Sequence, residues 1–176
     1  MSKDWRISTF NGVLLASYFI PSWTISAMKI WISPIRGFYD RTNIATAFYV
    51  SDFMTLTSMG TIRVAWLLAL SKVIVAALFL VFLVLVIRAA IRNKGGADEA
   101  LAFALGLGAS ISMASLIAAS KVGEVAALRL HASEALLLIG AAILLIIDTD
   151  PAAERKSETA STAVPHHGYL SSSPNS

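Results

Sequence analysis

The chain has 176 residues, of which 56% are hydrophobic and 14% charged, and its mean hydropathy is +0.70. Soluble domains carry about 25% charged residues, so a water-soluble globule is excluded, and wholesale disorder fails because it needs low hydrophobicity with high charge. Cysteine is absent, which removes disulfide scaffolds, thiol nucleophiles, Fe–S clusters and cysteine-held zinc. One all-α integral membrane domain remains.

A spanning helix needs about 20 mostly apolar residues, because the hydrocarbon core is about 30 Å thick and each residue rises 1.5 Å. Residues 11–32 form the first predicted span. It contains Pro21 and ends near Lys29, and Trp23 and Trp31 bracket its second half as interfacial aromatics do. Lys3, Arg6 and the apolar run after Gly12 also resemble a secretory leader. Pro-Ser-Trp follows that run instead of a small-x-small cleavage site, so a retained helix is expected. Residues 33–63, between the first two spans, are neither apolar enough to span nor polar enough for a free loop, and within them 42–59 reads as an interfacial segment. Tyr49, Phe53 and Leu56 share one helical face there, which predicts a short helix in the headgroup region with its aromatic face down.

Residues 64–87 are the clearest span, with no polar side chain after Lys72 until Arg88, Arg92 and Lys94 stop it. The third span, 100–120, follows Gly95-Gly96, with Asp98 as a candidate cap and Glu99 suited to the positive end of the helix dipole. In it Gly106, Ser110, Ala114 and Ala118 recur every four residues, and Gly108 and Ser112 form a second small pair. Such ridges let membrane helices approach closely, so this span is expected to pack centrally or at an oligomer seam. The fourth span, 125–147, ends at Asp148, Asp150 and Pro151. Residues 1–147 thus form a four-span helical bundle, and 148–176, rich in serine and proline without periodicity, read as a disordered tail. The pair His166-His167 lies in that tail without helical spacing or a carboxylate partner, so no metal site is expected.

Four spans place both termini on one side. Seven of the 14 basic residues then share the side of the termini, six lie opposite and Lys72 is inside the membrane. The tight cluster Arg88, Arg92 and Lys94 assigns the side of the termini to the cytoplasm of a cell inner membrane. The net charge of +3 suits anionic headgroups. The basic residues form no patch interleaved with stacking aromatics, so nucleic acid is not an expected partner.

Lys72, His131 and Glu134 are ionisable residues inside predicted spans. A charge in hydrocarbon costs about 2.5–3.5 kcal/mol even on the gentlest scale, so each needs a partner, water or a neutral form. Lys72 lies about 24 Å, and Glu134 about 21 Å, from the end of its own helix at 1.5 Å per residue. The second and fourth spans run parallel, so the two side chains share a depth. His131 and Glu134, three positions apart, share a helical face. A Lys72–Glu134 ion pair with His131 beside it, nearer the surface, is the expectation. It reads either as a structural clamp that fixes helix register or as a proton or cation path built on a histidine and a carboxylate. At the turn between spans three and four, Lys121, Glu124 and Arg129 are expected to form an interfacial salt-bridge rim.

A bis-histidine haem needs two intramembrane histidines and only His131 is present, so no cofactor is expected. HExxH, GxSxG and Walker-type loops are missing from the sequence. An enzyme is therefore the least favoured class. The expected function is that of a non-catalytic accessory, scaffolding or self-associating membrane subunit whose partners are the lipid bilayer, further copies of itself or another membrane protein. The alternative is a small transporter or proton-coupled carrier centred on Lys72, His131 and Glu134.

Overall fold

The computed structural model describes residues 7–32, 40–88 and 96–148. These form five α-helices and, among the described residues, no strand: α1 (Ile7–Ile32), α2 (Arg41–Phe53), α3 (Ser58–Ile87), α4 (Gly96–Val122) and α5 (Val125–Asp148). The expected tail, with His166 and His167, lies outside the described residues, apart from Asp148. All helices but α2 are long and apolar enough to cross a membrane. Their ends overshoot the predicted spans because hydropathy marks only the stretch that must sit in hydrocarbon. A helix continues wherever its backbone hydrogen bonds do. α4 begins at Gly96, so Asp98 and Glu99 both fall in its first turn, near the positive end of its dipole. Pro21 is absorbed inside a continuous α1, the arrangement a membrane helix tolerates when neighbours satisfy the freed carbonyl.

The four long helices close a ring: α1 packs on α3, α3 on α4, α4 on α5, and α5 returns to α1. Phe19 and Trp23 of α1, Val75, Phe79 and Phe82 of α3, Leu101 and Leu105 of α4 and Leu138 of α5 fill the interior. Phe19 stacks on Phe79 at 5.8 Å and meets Trp23 edge-on at 5.1 Å. At one end of the bundle the Asp148 carboxylate accepts a hydrogen bond from the Ser8 backbone N–H at 3.1 Å. It thereby caps the first turn of α1, where backbone donors have no intrahelical partner. The beginning of α1 and the end of α5 therefore share a face, as an even number of crossings requires.

At the opposite end α2 is a fifth member of the bundle. Ser51 and Thr61 join their hydroxyls at 2.6 Å, and Asn43 reaches Lys72, so α2 runs antiparallel to the start of α3. α3 has 30 residues, about 45 Å at 1.5 Å per residue, against about 30 Å of hydrocarbon. α2 packs along the excess. Its inward face is Ile44, Ala45, Ala47 and Ser51, which meets Ala27 and Ile30 of α1, Ala65 and Ala69 of α3, Ala119 of α4 and Ala127 of α5. Alanines on every side allow this close approach. The aromatic face lies away from the bundle: Phe53 is exposed and Tyr49 half-buried.

Two left-handed residues set the turns. Gly123 has φ 76°, and the Glu124 N–H reaches back to the Ala119 carbonyl at 3.1 Å, the six-to-one bond of a glycine-terminated helix. Thr55, at φ 50°, takes the equivalent place after α2, where the Leu56 N–H bonds to the Ser51 carbonyl at 2.9 Å.

The small residues of α4 divide between two faces. Gly108 and Ser112 face inward, and a methyl group on Gly108 would lie 3.2 Å from Leu138 and 3.4 Å from Val75. Gly106, Ser110 and Ala114 are exposed, and a methyl group on Gly106 would touch nothing within 4 Å. The four-residue ridge therefore faces outward at Gly106, Ser110 and Ala114 and enters the interior only at Ala118. The face carrying Leu101, Leu105 and Leu138's neighbour Gly108 buries more apolar area and takes the interior. Gly12 marks the tightest approach: a methyl group there would lie 2.8 Å from the Phe82 ring and 2.9 Å from Leu101, both fully buried. Replacing Gly12 by Val should lower stability by about 1–3 kcal/mol, the range for overpacking. Gly106→Ala should be near neutral. Thermal unfolding of the two variants in the same detergent checks the contrast.

Candidate functional site

The site starts from three side chains that hydrocarbon does not tolerate alone. Lys72 projects from α3, and His131 and Glu134 from α5. All three are buried, at 5%, 2% and 2% exposure. His131 and Glu134 share a face as the three-residue spacing requires, and their side chains meet at 2.9 Å between Nδ1 and Oε2. An ionised carboxylate only accepts, so this contact with an ionised Glu134 requires the proton on Nδ1. Both side chains are buried, and His131 stands three residues nearer than Glu134 to the start of α5.

The direct Lys72–Glu134 ion pair does not form. The two groups lie within electrostatic range of one another, with Asp40 as a second acidic influence on the ammonium. Trp23 of α1, 1% exposed, mediates between them. Its indole N–H donates to Glu134 Oε1 at 2.8 Å, and its ring face receives the Lys72 ammonium at 5.8 Å from the centroid. The indole suits this place because its edge is electropositive at the N–H while its face is electron-rich, so one ring serves both signs. The ammonium also donates to Asn43 Oδ1 at 3.5 Å, and the Asn43 amide donates to Asp40 at 2.9 Å. A polar chain thus runs from Asp40 and Asn43 at the start of α2, through Lys72 and Trp23, to Glu134 and His131.

Trp23 and Asn43 were not among the expected site residues. A tryptophan in the second half of a span reads equally as an interfacial anchor, and Asn43 sits in a segment with no inward face marked by hydropathy. A further hydroxyl stands near this level. Gly108 abuts Leu138, so in the antiparallel α4–α5 pair Ser112, four residues on, comes level with Glu134, four residues back. Its Oγ is buried without a hydrogen-bond partner, which is uncommon for a buried polar atom.

The expected rim does not close. Lys121, Glu124 and Arg129 form no ion pair among the described residues. The Gly123 turn breaks the helix that would have set Lys121 and Glu124 on one face. Lys121 stays in the last turn of α4, where a cation suits the dipole. Glu124 immediately precedes α5, where an anion does. No three His, Cys, Asp or Glu side chains converge among the described residues.

The fold and its buried charges define a multi-pass helical membrane protein. No family model matches the chain, and no curated protein or solved structure resembles it significantly.

The geometry makes Trp23 a quantitative marker. Glu134→Leu should cost about 3–5 kcal/mol, because the ammonium is left buried without its opposite charge. Lys72→Met combined with Glu134→Leu should regain most of that. Trp23→Phe keeps the ring and removes the donor, and should cost about 1.5–3 kcal/mol, the range for a hydrogen bond to a charged group. Unfolding midpoints in one detergent decide the matter: a neutral Trp23→Phe would mean that the indole bond carries no weight.

Proposed function

We propose that this protein is a non-catalytic four-span subunit of a cell inner membrane, acting as a scaffold or by self-association, with both chain ends in the cytoplasm. One observation carries the reading: the intramembrane ionisable groups are nearly sealed from solvent and engage other helices of the same bundle. Trp23 and Asn43 take up Glu134 and Lys72, which fastens α1, α2, α3 and α5 together. Charges kept for transport stand beside water or an open cavity. Here the interior is filled by aromatic rings and alanines. The working surface is then the exterior, where α4 presents Gly106, Ser110 and Ala114 as a surface on which a second helix can approach closely.

A proton-coupled carrier is the second reading. The contact between His131 and Glu134 favours it, since an imidazole and a carboxylate at hydrogen-bonding distance can pass a proton.

Mass measurement in mild detergent and proton flux in liposomes separate the two. A scaffold is expected to run as a multimer, to carry no flux, and to become monomeric on joint replacement of Gly106 and Ser110 by Leu, with its unfolding midpoint unchanged. A monomer whose flux is abolished by Glu134→Gln, with the fold intact, would overturn the scaffold reading and establish the carrier. For the orientation, single cysteines placed in the segments 1–6 and 149–176 should resist a membrane-impermeant thiol reagent in intact cells. Cysteines at Lys121 or Gly123 should react.

A further inference from the structure

An open groove of about 630 Å³ runs along the outside of α1 and α3, lined by Trp31, Arg63, Trp66, Leu67 and Leu70. The four α3 residues follow the spacing i, i+3, i+4, i+7, so one face of that helix makes the floor, with Trp31 of α1 as the wall. Arg63 and Trp66 are exposed, as are Leu67 and Leu70. Arg63 has no carboxylate within salt-bridge distance among the described residues.

The position of the groove along α3 decides what it can hold. Measured from Ile87, the last residue before Arg88, Arg63 lies about 36 Å up the helix at 1.5 Å per residue. The hydrocarbon is about 30 Å thick, so the guanidinium stands at the level of lipid phosphates. Trp66, about 31 Å up on the same scale, falls at the boundary where tryptophan concentrates. Leu70, about 25 Å up, falls among acyl chains. The groove lining itself is almost wholly apolar, so Arg63 contributes its aliphatic stem to it and leaves its exposed guanidinium outside the channel. A cation beyond the upper end, an amphipathic belt and an apolar channel then follow the order of parts in a phospholipid.

We infer that this groove is a binding site for one anionic phospholipid, its phosphodiester held by Arg63 and an acyl chain lying along Leu67 and Leu70 between the two tryptophans. Guanidinium and phosphate match through paired N–H donors in a planar fork. A zwitterionic lipid offers the same phosphate, but its own ammonium competes for it. The surplus positive charge of the chain, +3 overall, acts in the same direction.

The test uses the full-length protein, delipidated in mild detergent and titrated with phosphatidylglycerol or phosphatidylcholine under native mass spectrometry. One phosphatidylglycerol should remain bound under conditions that strip phosphatidylcholine. Arg63→Gln should weaken phosphatidylglycerol about fivefold, the effect of one basic residue at an anionic surface. Lys121→Gln, at the same end of the bundle but outside the groove, should change nothing. Leu67→Trp, which fills the channel and leaves Arg63 in place, should also expel the lipid, and it serves as the decisive variant should Arg63→Gln fail to fold. Equal weakening by Arg63→Gln and Lys121→Gln would reduce the effect to general charge attraction and overturn the site. So would equal retention of both lipids, or full retention by folded Leu67→Trp.

Discussion

An ammonium and a carboxylate dissolved in a hydrocarbon phase must be solvated by the protein itself, and in this chain that task converges on one indole ring. Trp23 meets Glu134 with its N–H and Lys72 with its face. The arrangement differs from a direct ion pair in what it constrains. A pair would tie α3 to α5 and leave α1 free to slide. The indole must present its edge to α5 and its face to α3 at once, so it fixes the rotation of α1 as well. The aromatic column from Trp23 through Phe19 to Phe79 extends that orientation into the apolar core. Burial of charges adds little net stability in general and serves better to select one arrangement among many. In lipid, where apolar faces are nearly equivalent, such selection has particular value.

α2 completes the enclosure. Thirteen residues are too few to cross a bilayer, and this helix packs instead against α3, α4 and α5. Its buried residues are Ile44 and small or hydroxyl-bearing side chains, so its backbone comes close to α3, α4 and α5, while Ile44 and Ala47 pack in one cluster with Ala27 and Ile30 of α1. By carrying Asn43 to Lys72 it closes the polar chain from above. The buried charges are thus enclosed by protein at that end, and no lipid headgroup is needed to satisfy them.

Much of this was legible in the sequence, for a definable reason. The bilayer imposes length and apolarity on any crossing segment, so the four long helices stand out even where their true ends do not. Depth along a helix is also a simple count, which is why Lys72 and Glu134 could be set at one level, and His131 beside Glu134, before any coordinates. Rotation about a helix axis is not such a count. The two small-residue stripes of α4, one through Gly106 and one through Gly108, are equivalent as sequence patterns. Only the bulk of Leu138 and Val75 against Gly108 settles which is buried. Trp23 was hidden for a related reason, since tryptophan at a given depth serves as membrane anchor or interior ligand according to the direction it faces. The Lys121–Glu124 spacing misled because it presumes an unbroken helix, and Gly123 breaks it.

The bond between Trp23 and Glu134 joins residues 111 positions apart, and the cap from Asp148 to Ser8 spans 140. Ribosomes deliver the first helix long before the last. During that interval the lysine of α3 resides in the membrane without its acidic counterpart, and the leading turn of α1 lacks its carboxylate. A nascent chain stopped after α4 would keep Asn43 and Asp40 beside Lys72 but would lack Glu134. Both contacts can form only once the final helix is in place, so α1 and Lys72 acquire their last partners at the end of assembly.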